Sequence, residues 1–170
     1  NPKTSDSEYP EKILCGSGVV WKLIEAILIK LRDDKALRFH SEQIQVPKPG
    51  FEKWLLDLVG ISTVADMVPL VKENRALAHF GLKVLRQTKR HGLNHIFNEQ
   101  RIQKEYLTEE DIAFTIAPRI NAAGRMGDPI QSHHMLYEKD KIQAEKYARE
   151  IELLNIQRKS DVKDIVDGIS

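Results

Sequence analysis

Cysteine and long apolar runs are scarce in this 170-residue sequence, and each scarcity excludes a class of protein. With one cysteine, Cys15, the chain cannot form an internal disulfide, which favours a reducing compartment. The apolar neighbours of Cys15 indicate a small buried side chain rather than a nucleophile. No apolar run approaches the roughly 18 residues of a membrane span, and the first residues lack the features of a signal peptide. We therefore expect a cytoplasmic protein with no membrane partner.

An excess of either charge is also missing. The 26 Lys and Arg residues nearly balance the 25 Asp and Glu residues, for a net charge of +1. No overall basic field therefore favours nucleic acid or an anionic membrane, and any binding of anions must be local. Cys-x-x-Cys pairs, Walker-type phosphate loops and Ser-His-acid sets are absent, so the sequence does not support ATP-driven or nucleophilic chemistry.

Helical periodicity dominates what is present. Hydrophobic residues make up 41% of the chain, enough for the core of one ordinary domain. Within the helical pattern, Gly92 and Pro118 are predicted to end helices, and Thr108 forms a capping box with Asp111. The spacing of apolar residues predicts helices over 16–34, 72–92, 93–100, 107–117, 130–138 and 140–169.

One segment reads differently. Residues 55–65, "LLDLVGISTVA", form a short, partly β-branched apolar run that predicts a buried strand. Asp66 would then follow the strand at the edge where open α/β sheets bind ligands, and its carboxylate could ligate a hard divalent cation. An exposed or helix-capping aspartate is the simpler alternative. The chain is thus predicted to be predominantly α-helical with one or two strands.

Residues 117–129, "APRINAAGRMGDP", are predicted to form a polar loop. Guanidinium groups such as those of Arg119 and Arg125 recognise phosphate through bidentate hydrogen bonds, and small neighbours let backbone amides approach an anion. In the alternative, a structural turn, the small residues 122–124 pack closely and the arginines pair with carboxylates. The residues alone leave both interpretations open.

Four segments, 1–23, 57–85, 117–129 and 152–159, resemble in this order parts of the RecJ-type single-stranded-DNA-specific 5′→3′ exonucleases of the DHH phosphoesterase superfamily. "GISTVADMVPL" resembles the fourth DHH motif, and "PRINAAGR" is the most RecJ-specific string. The resemblance implies an α/β DHH phosphoesterase core with a parallel sheet. Residues 1–138 would form the C-terminal part of that core, and 139–170 a connecting helix towards a second, DHHA1-type domain.

The same resemblance implies hydrolysis of phosphodiesters by two-metal catalysis with Mn²⁺ or Mg²⁺, in DNA repair and recombination. It assigns Asp66 to the catalytic, metal-binding aspartate of the fourth motif. Arg125, Arg119 and Asn121 fall on the loop that holds the DNA end, with Arg125 at the terminal phosphate. The expected partners are single-stranded DNA with a 5′-phosphate and, among proteins, a single-strand-binding protein or a helicase.

The remaining motifs of the superfamily, Asp-x-Asp and Asp-His-His among them, are expected before Asn1. Most metal ligands would then lie upstream, and we expect the isolated chain to be inactive. One alternative is a non-catalytic, RecJ-derived helical interaction module. Another is a DHH-family oligoribonuclease or cyclic-dinucleotide phosphodiesterase, against which "PRINAAGR" argues.

Overall fold

The computed structural model describes residues 1–33 and 46–169. These residues form helices and connecting segments, and none of them lies in a β-strand. The chain divides into two compact units, Asn1–Leu85 and Arg86–Ser170. The prediction of a mainly helical chain is confirmed, whereas the prediction of one or two strands is wrong for the described residues.

The first unit contains four described helices: α1 (Gly16–Asp33), α2 (Phe51–Trp54), α3 (Leu56–Ala65) and α4 (Lys72–Leu85). The position of α1 confirms the helix predicted over residues 16–34, except that residue 34 lies outside the described residues. The core of the first unit is apolar and combines side chains from three places in the sequence: Leu14 before α1, Leu56 and Val59 of α3, and Leu77 of α4.

Helix α3 occupies the segment that was predicted to be a strand. An apolar run of this length fits a buried strand or a buried helix equally well by periodicity, because burial on several sides removes the polar face. The β-branched residue Thr63 is accommodated in the helix by donating its hydroxyl to the Val59 carbonyl at 2.7 Å. Six of its ten residues are buried: Leu56, Asp57, Val59, Gly60, Ile61 and Thr63.

Helices α3 and α4 approach each other through a pair of glycines. A Cβ atom built on Gly81 would lie 2.5 Å from the Gly60 Cα atom and 2.7 Å from the Leu56 carbonyl oxygen. A Cβ atom built on Gly60 would lie 2.8 Å from the Gly81 Cα atom. Because the obstructing atoms belong to the backbone, no side-chain rotation can relieve the overlap. The two glycines therefore set the distance between the helices.

An ion pair joins the end of α1 to α2. Arg32 Nη2 donates to Glu52 Oε2 at 2.8 Å, and the side chain of Glu52 is largely buried. Hydrogen bonds from Arg32, and further ones from the backbone of Glu52 and Gly50, lower the pKa of the Glu52 carboxyl from 4.5 to about 2, against the effect of burial. The carboxylate is therefore ionised throughout the neutral and mildly acidic range.

The second unit contains α5 (His91–Glu99), a 3₁₀ turn (Lys104–Tyr106), a π-helix (Asp111–Ile116), α6 (Ala117–Met126), α7 (Ile130–Tyr137) and α8 (Lys141–Ile169). Helix α8 packs against α5, α6 and α7. The apolar core of the second unit contains residues from α5, α6, α7 and α8, namely Ile96, Ala123, Met135, Ala148 and Ile151. The long helix predicted over 140–169 is confirmed as α8.

Two predicted helix ends are wrong. The helix predicted over 72–92 ends at Leu85, and Gly92 is the second residue of the next helix, α5, where an added Cβ would overlap the Met135 backbone oxygen. Gly92 is thus a packing residue rather than a stop signal. Pro118 lies in the first turn of α6, which continues directly from the π-helix, so the chain stays helical through the proline. In a regular α-helix, the ring of Pro118 would crowd the carbonyl group of Phe114, four residues earlier. Phe114 lies in the π-helix, whose wider turn relieves this contact.

The predicted capping box is confirmed. The Thr108 N–H donates to Asp111 Oδ2 at 2.8 Å, and the Asp111 N–H donates back to Thr108 Oγ1 at 3.4 Å.

Over residues 1–33 and 46–169, no helix combines the length and the apolar character needed to cross a bilayer.

Replacement of Gly81 by alanine tests the glycine contact. Alanine favours a helix over glycine by about 1 kcal/mol, but the forced separation of α3 and α4 is expected to cost more. We expect Gly81→Ala to lower the free energy of unfolding by about 1–3 kcal/mol, measured by urea denaturation with circular dichroism. Gly124→Ala is the control, because a Cβ there meets only Pro129 Cβ at 3.7 Å. Equal or higher stability of Gly81→Ala would contradict the contact.

Acid unfolding tests the Arg32–Glu52 pair. Since the pKa of Glu52 in the folded chain lies below its ordinary value of 4.5, the pair stabilises the fold above that value. Its contribution is expected to disappear as the pH falls from about 5 to about 2. Glu52→Gln should therefore lose stability at pH 7 and show a weaker dependence on pH over this range. The exposed Glu105→Gln serves as a charge-matched control, and a similar profile for both variants would refute the assignment.

Candidate functional site

Asp66 lies at the end of α3. It is the C-cap residue, and its N–H donates to the Ser62 carbonyl oxygen at 2.9 Å. Met67 follows with a φ of 49°, in the left-handed conformation that ends many helices and that residues other than glycine seldom adopt. This turn leaves the Asp66 side chain exposed. The predicted site residue is therefore accessible, but it follows a helix and not a strand.

The thiol of Cys15 contacts the Asp66 carboxylate. Cys15 Sγ donates to Asp66 Oδ2 at 3.2 Å, and it is flanked by Ser17 Oγ at 3.3 Å and Ser62 Oγ at 3.5 Å. Cys15 is 1% exposed, which agrees with the buried side chain predicted from its neighbours. Within the described residues, Asp66 Oδ1 has no hydrogen-bond partner, so one oxygen is bound internally and the other is open to a ligand.

A buried amide, that of Asn74 in α4, fixes the backbone on both sides of this contact. The Cys15 N–H donates to Asn74 Oδ1 at 3.0 Å. Asn74 Nδ2 donates to the carbonyl oxygens of Ile13 at 2.8 Å and Pro69 at 3.2 Å. The side chain thus joins the segment before α1 to the turn after α3. Consequently, Cys15 and Asp66 are held at a defined separation.

The chemistry of Asp66 fits one ligand of a divalent metal. Hard cations such as Mg²⁺ and Mn²⁺ prefer oxygen ligands, which an exposed carboxylate with a free oxygen can supply. No group of three or more His, Cys, Asp or Glu side chains suited to a metal occurs in the parts of the chain that the structure describes. Asp66 therefore fits a partial metal site and not a complete one.

The stretch predicted to be a polar loop is mostly helical. Residues 117–126 form α6, and the loop prediction is wrong for them. Ala122 and Ala123 are fully buried, and Ala123 belongs to the core of the second unit. Small side chains at these positions allow α6 to pack closely against α8. The alanines therefore serve helix packing, as the structural alternative had it, and not access of the backbone to an anion.

Arg119 is also directed into the unit. It is 5% exposed, and its Nε and Nη2 atoms donate to Glu152 of α8, the latter at 3.1 Å. Its Nη1 atom donates to the Thr115 carbonyl oxygen at 2.7 Å. All three nitrogen atoms of the guanidinium group are engaged. The substrate-binding prediction for Arg119 is untested, and the geometry favours a role in holding α6 on α8.

Asn121 and Arg125 occupy the solvent-exposed side of α6. They are four residues apart, so their side chains lie on the same helix face, one turn from each other. In the described part of the chain, no hydrogen bond or ion pair engages the Arg125 guanidinium group. An amide and a free guanidinium side by side can bind an anion such as a phosphate. We call this exposed pair the α6 face.

Sequence reasoning missed three residues that shape these sites. Asn74 gives no signal, because an asparagine inside a helical pattern is usually exposed. Glu152 belongs to a segment that carried the family resemblance, but nothing in the sequence pairs it with Arg119, 33 positions earlier. Cys15 was assigned a packing role, and its hydrogen bond to Asp66 depends on a contact across 51 positions.

The fold is similar to that of exonucleases whose crystal structures are bound to a divalent metal. The structure resembles the crystal structure of exonuclease RecJ bound to manganese, with a TM-score of 0.73 and 27% sequence identity over 96% of this chain and 37% of that one. RecJ from Thermus thermophilus in complex with Mg²⁺ gives a TM-score of 0.72 and 27% identity over 95% of this chain and 23% of that one.

Curated sequences specify the family. The chain is 36% identical over 167 residues to the single-stranded-DNA-specific exonuclease RecJ of Bacillus subtilis, covering 98% of this chain and 19% of the relative. It is 35% identical over 160 residues to RecJ of Escherichia coli, covering 94% of this chain and 27% of the relative. No protein-family model matches the chain. In sequence and in fold, this chain is a RecJ-type segment that spans about a fifth to a quarter of the length of these relatives.

Proposed function

We propose that this chain acts as part of a longer single-stranded-DNA-specific 5′→3′ exonuclease that hydrolyses phosphodiester bonds in DNA repair and recombination. The observation that carries the proposal is the match to RecJ exonucleases over nearly the whole chain. It is joined by the exposed carboxylate of Asp66, of which Oδ2 accepts a hydrogen bond from Cys15. That carboxylate lies in the segment that resembles the fourth motif of the superfamily. The proposed cellular location is the cytoplasm.

In this proposal, Asp66 is a metal ligand in a two-metal site for Mn²⁺ or Mg²⁺, and the other ligands come from outside the chain. Divalent metals bound there would supply Lewis-acid activation of water and stabilise negative charge on the phosphoryl oxygens. Asp66 itself contributes one oxygen through Oδ1, while Oδ2 stays hydrogen-bonded to Cys15. Support for the metals comes from RecJ structures described as bound to manganese or in complex with Mg²⁺.

The α6 face is the proposed contact for the 5′-terminal phosphate of single-stranded DNA. Arg125 supplies a charge-assisted bidentate hydrogen bond to phosphate, and Asn121 adds an amide donor one turn away. Arg119 contributes indirectly, because its pairing with Glu152 holds α6 on α8. Residues 1–138 would belong to the DHH core, whose parallel sheet lies outside this chain. Residues 139–170 would form the helix towards a second domain.

A binding experiment tests the α6 face. In the longer polypeptide that contains this segment, Arg125→Ala should weaken binding of a 5′-phosphorylated oligonucleotide about 10- to 100-fold, since charge-assisted hydrogen bonds contribute about 1.5–3 kcal/mol. Binding of the same oligonucleotide with a 5′-hydroxyl should change little, measured by fluorescence anisotropy. Arg149→Ala, an exposed arginine on α8, is the control for loss of positive charge. Equal losses for both oligonucleotides would overturn the phosphate assignment.

A nuclease assay tests the metal carboxylate. With 5′-phosphorylated single-stranded DNA and Mn²⁺, we expect the isolated chain to release no nucleotides, because it supplies too few metal ligands. The longer polypeptide should release them, and its Asp66→Ala variant should bind DNA but lose turnover. Nucleotide release by the isolated chain would refute the partial site, and full activity of Asp66→Ala would refute the metal assignment. An inactive longer polypeptide would instead favour the non-catalytic interaction module.

A further inference from the structure

Cys15 is the sole cysteine of the chain, and its thiol is almost completely buried, yet it is not simply a packing group. Its one proton is directed at Asp66 Oδ2, the nearest of the three oxygen atoms around the sulfur. With that proton committed to the carboxylate, the hydroxyls of Ser17 and Ser62 are left to donate to the sulfur. The result is an ordered set of hydrogen bonds that ends at Asp66.

We propose that Cys15 is the positioning residue for the Asp66 carboxylate, a role that rests on the proposed function of Asp66 as a metal ligand. The S–H group holds Oδ2 from the protein side, so that the carboxylate rotamer is fixed and Oδ1 is directed outwards. Hydrogen bonds to the second oxygen of a metal-binding carboxylate orient it and typically change metal affinity 10–100-fold when removed. Cys15 thus acts on the metal through Asp66 and has no contact with substrate.

The position of Cys15 is itself fixed, which makes the thiol an effective orienting group. Its backbone N–H is bound to the fully buried Asn74, whose amide also holds the turn after Asp66 through Pro69. The Cys15 backbone therefore stays in place if the carboxylate rotates, and the sulfur can move only by rotation about its own Cα–Cβ bond. A rotation of Asp66 would break the S–H hydrogen bond, and a free carboxylate at an exposed helix end would otherwise sample several rotamers.

Two substitutions separate positioning from packing. Cys15→Ala removes the donor, whereas Cys15→Ser keeps a donor on a side chain of similar shape. In the longer polypeptide, we expect Cys15→Ala to bind Mn²⁺ about tenfold more weakly by isothermal titration calorimetry, and Cys15→Ser to recover most of that loss. In the isolated chain, the ¹³C resonance of the Asp66 side-chain carboxyl should shift in Cys15→Ala and return towards its original position in Cys15→Ser.

Val59→Ala is the control for lost packing, because Val59 belongs to the same core as Leu14 but has no hydrogen bond to Asp66. It should lower the melting temperature and leave the affinity for Mn²⁺ unchanged. Asp66→Ala supplies the reference, and it should abolish binding at this position. The positioning role is overturned if Asp66→Ala weakens Mn²⁺ binding while Cys15→Ala binds like the unmodified protein, or if Cys15→Ser is as weak as Cys15→Ala. If Asp66→Ala leaves Mn²⁺ binding intact, the proposed metal role of Asp66 fails instead.

Discussion

The side-chain amide of Asn74 is fully buried and hydrogen-bonds to the backbone at Ile13, Cys15 and Pro69. Buried polar groups of this kind are costly unless they are satisfied, and a satisfied one defines a single arrangement of the groups that it joins. In the first unit, this amide connects the segment that precedes α1 to the turn that follows α3. The contact between the Cys15 thiol and the Asp66 carboxylate depends on that connection.

In the second unit, the short helix α6 is buried on one side and exposed on the other. One side of α6 is buried through alanines and the Arg119–Glu152 ion pair, which is largely removed from solvent. Removal of one partner from such a pair leaves an uncompensated charge, so the pair constrains α6 strongly. The other side presents Asn121 and Arg125 to solvent. Rigid attachment on one side therefore reduces the backbone entropy that the proposed binding of phosphate by the exposed side would cost.

Predictions from the sequence succeeded where local interactions decide the structure. The capping box at Thr108 depends on residues three positions apart, and the helical spacing of apolar residues in α8 repeats over neighbouring turns. The prediction of a strand at α3 was wrong, because a helix that is buried on several sides lacks the alternation of apolar and polar residues that reveals helical periodicity. The predictions were also wrong at Gly92 and Pro118, whose meaning depends on a neighbouring helix and on a π-helical turn.

The sequence by itself determined that the chain is mainly helical, that Cys15 is buried and that the chain resembles RecJ-type exonucleases, because these properties follow from local periodicity, composition and motifs. Only the tertiary structure decided that Arg119 is internal while Arg125 is exposed, and that the buried thiol of Cys15 donates a hydrogen bond to Asp66. The physical reason is distance along the chain. Glu152 and Asp66 lie 33 and 51 positions from their partners, and no local pattern records such pairs.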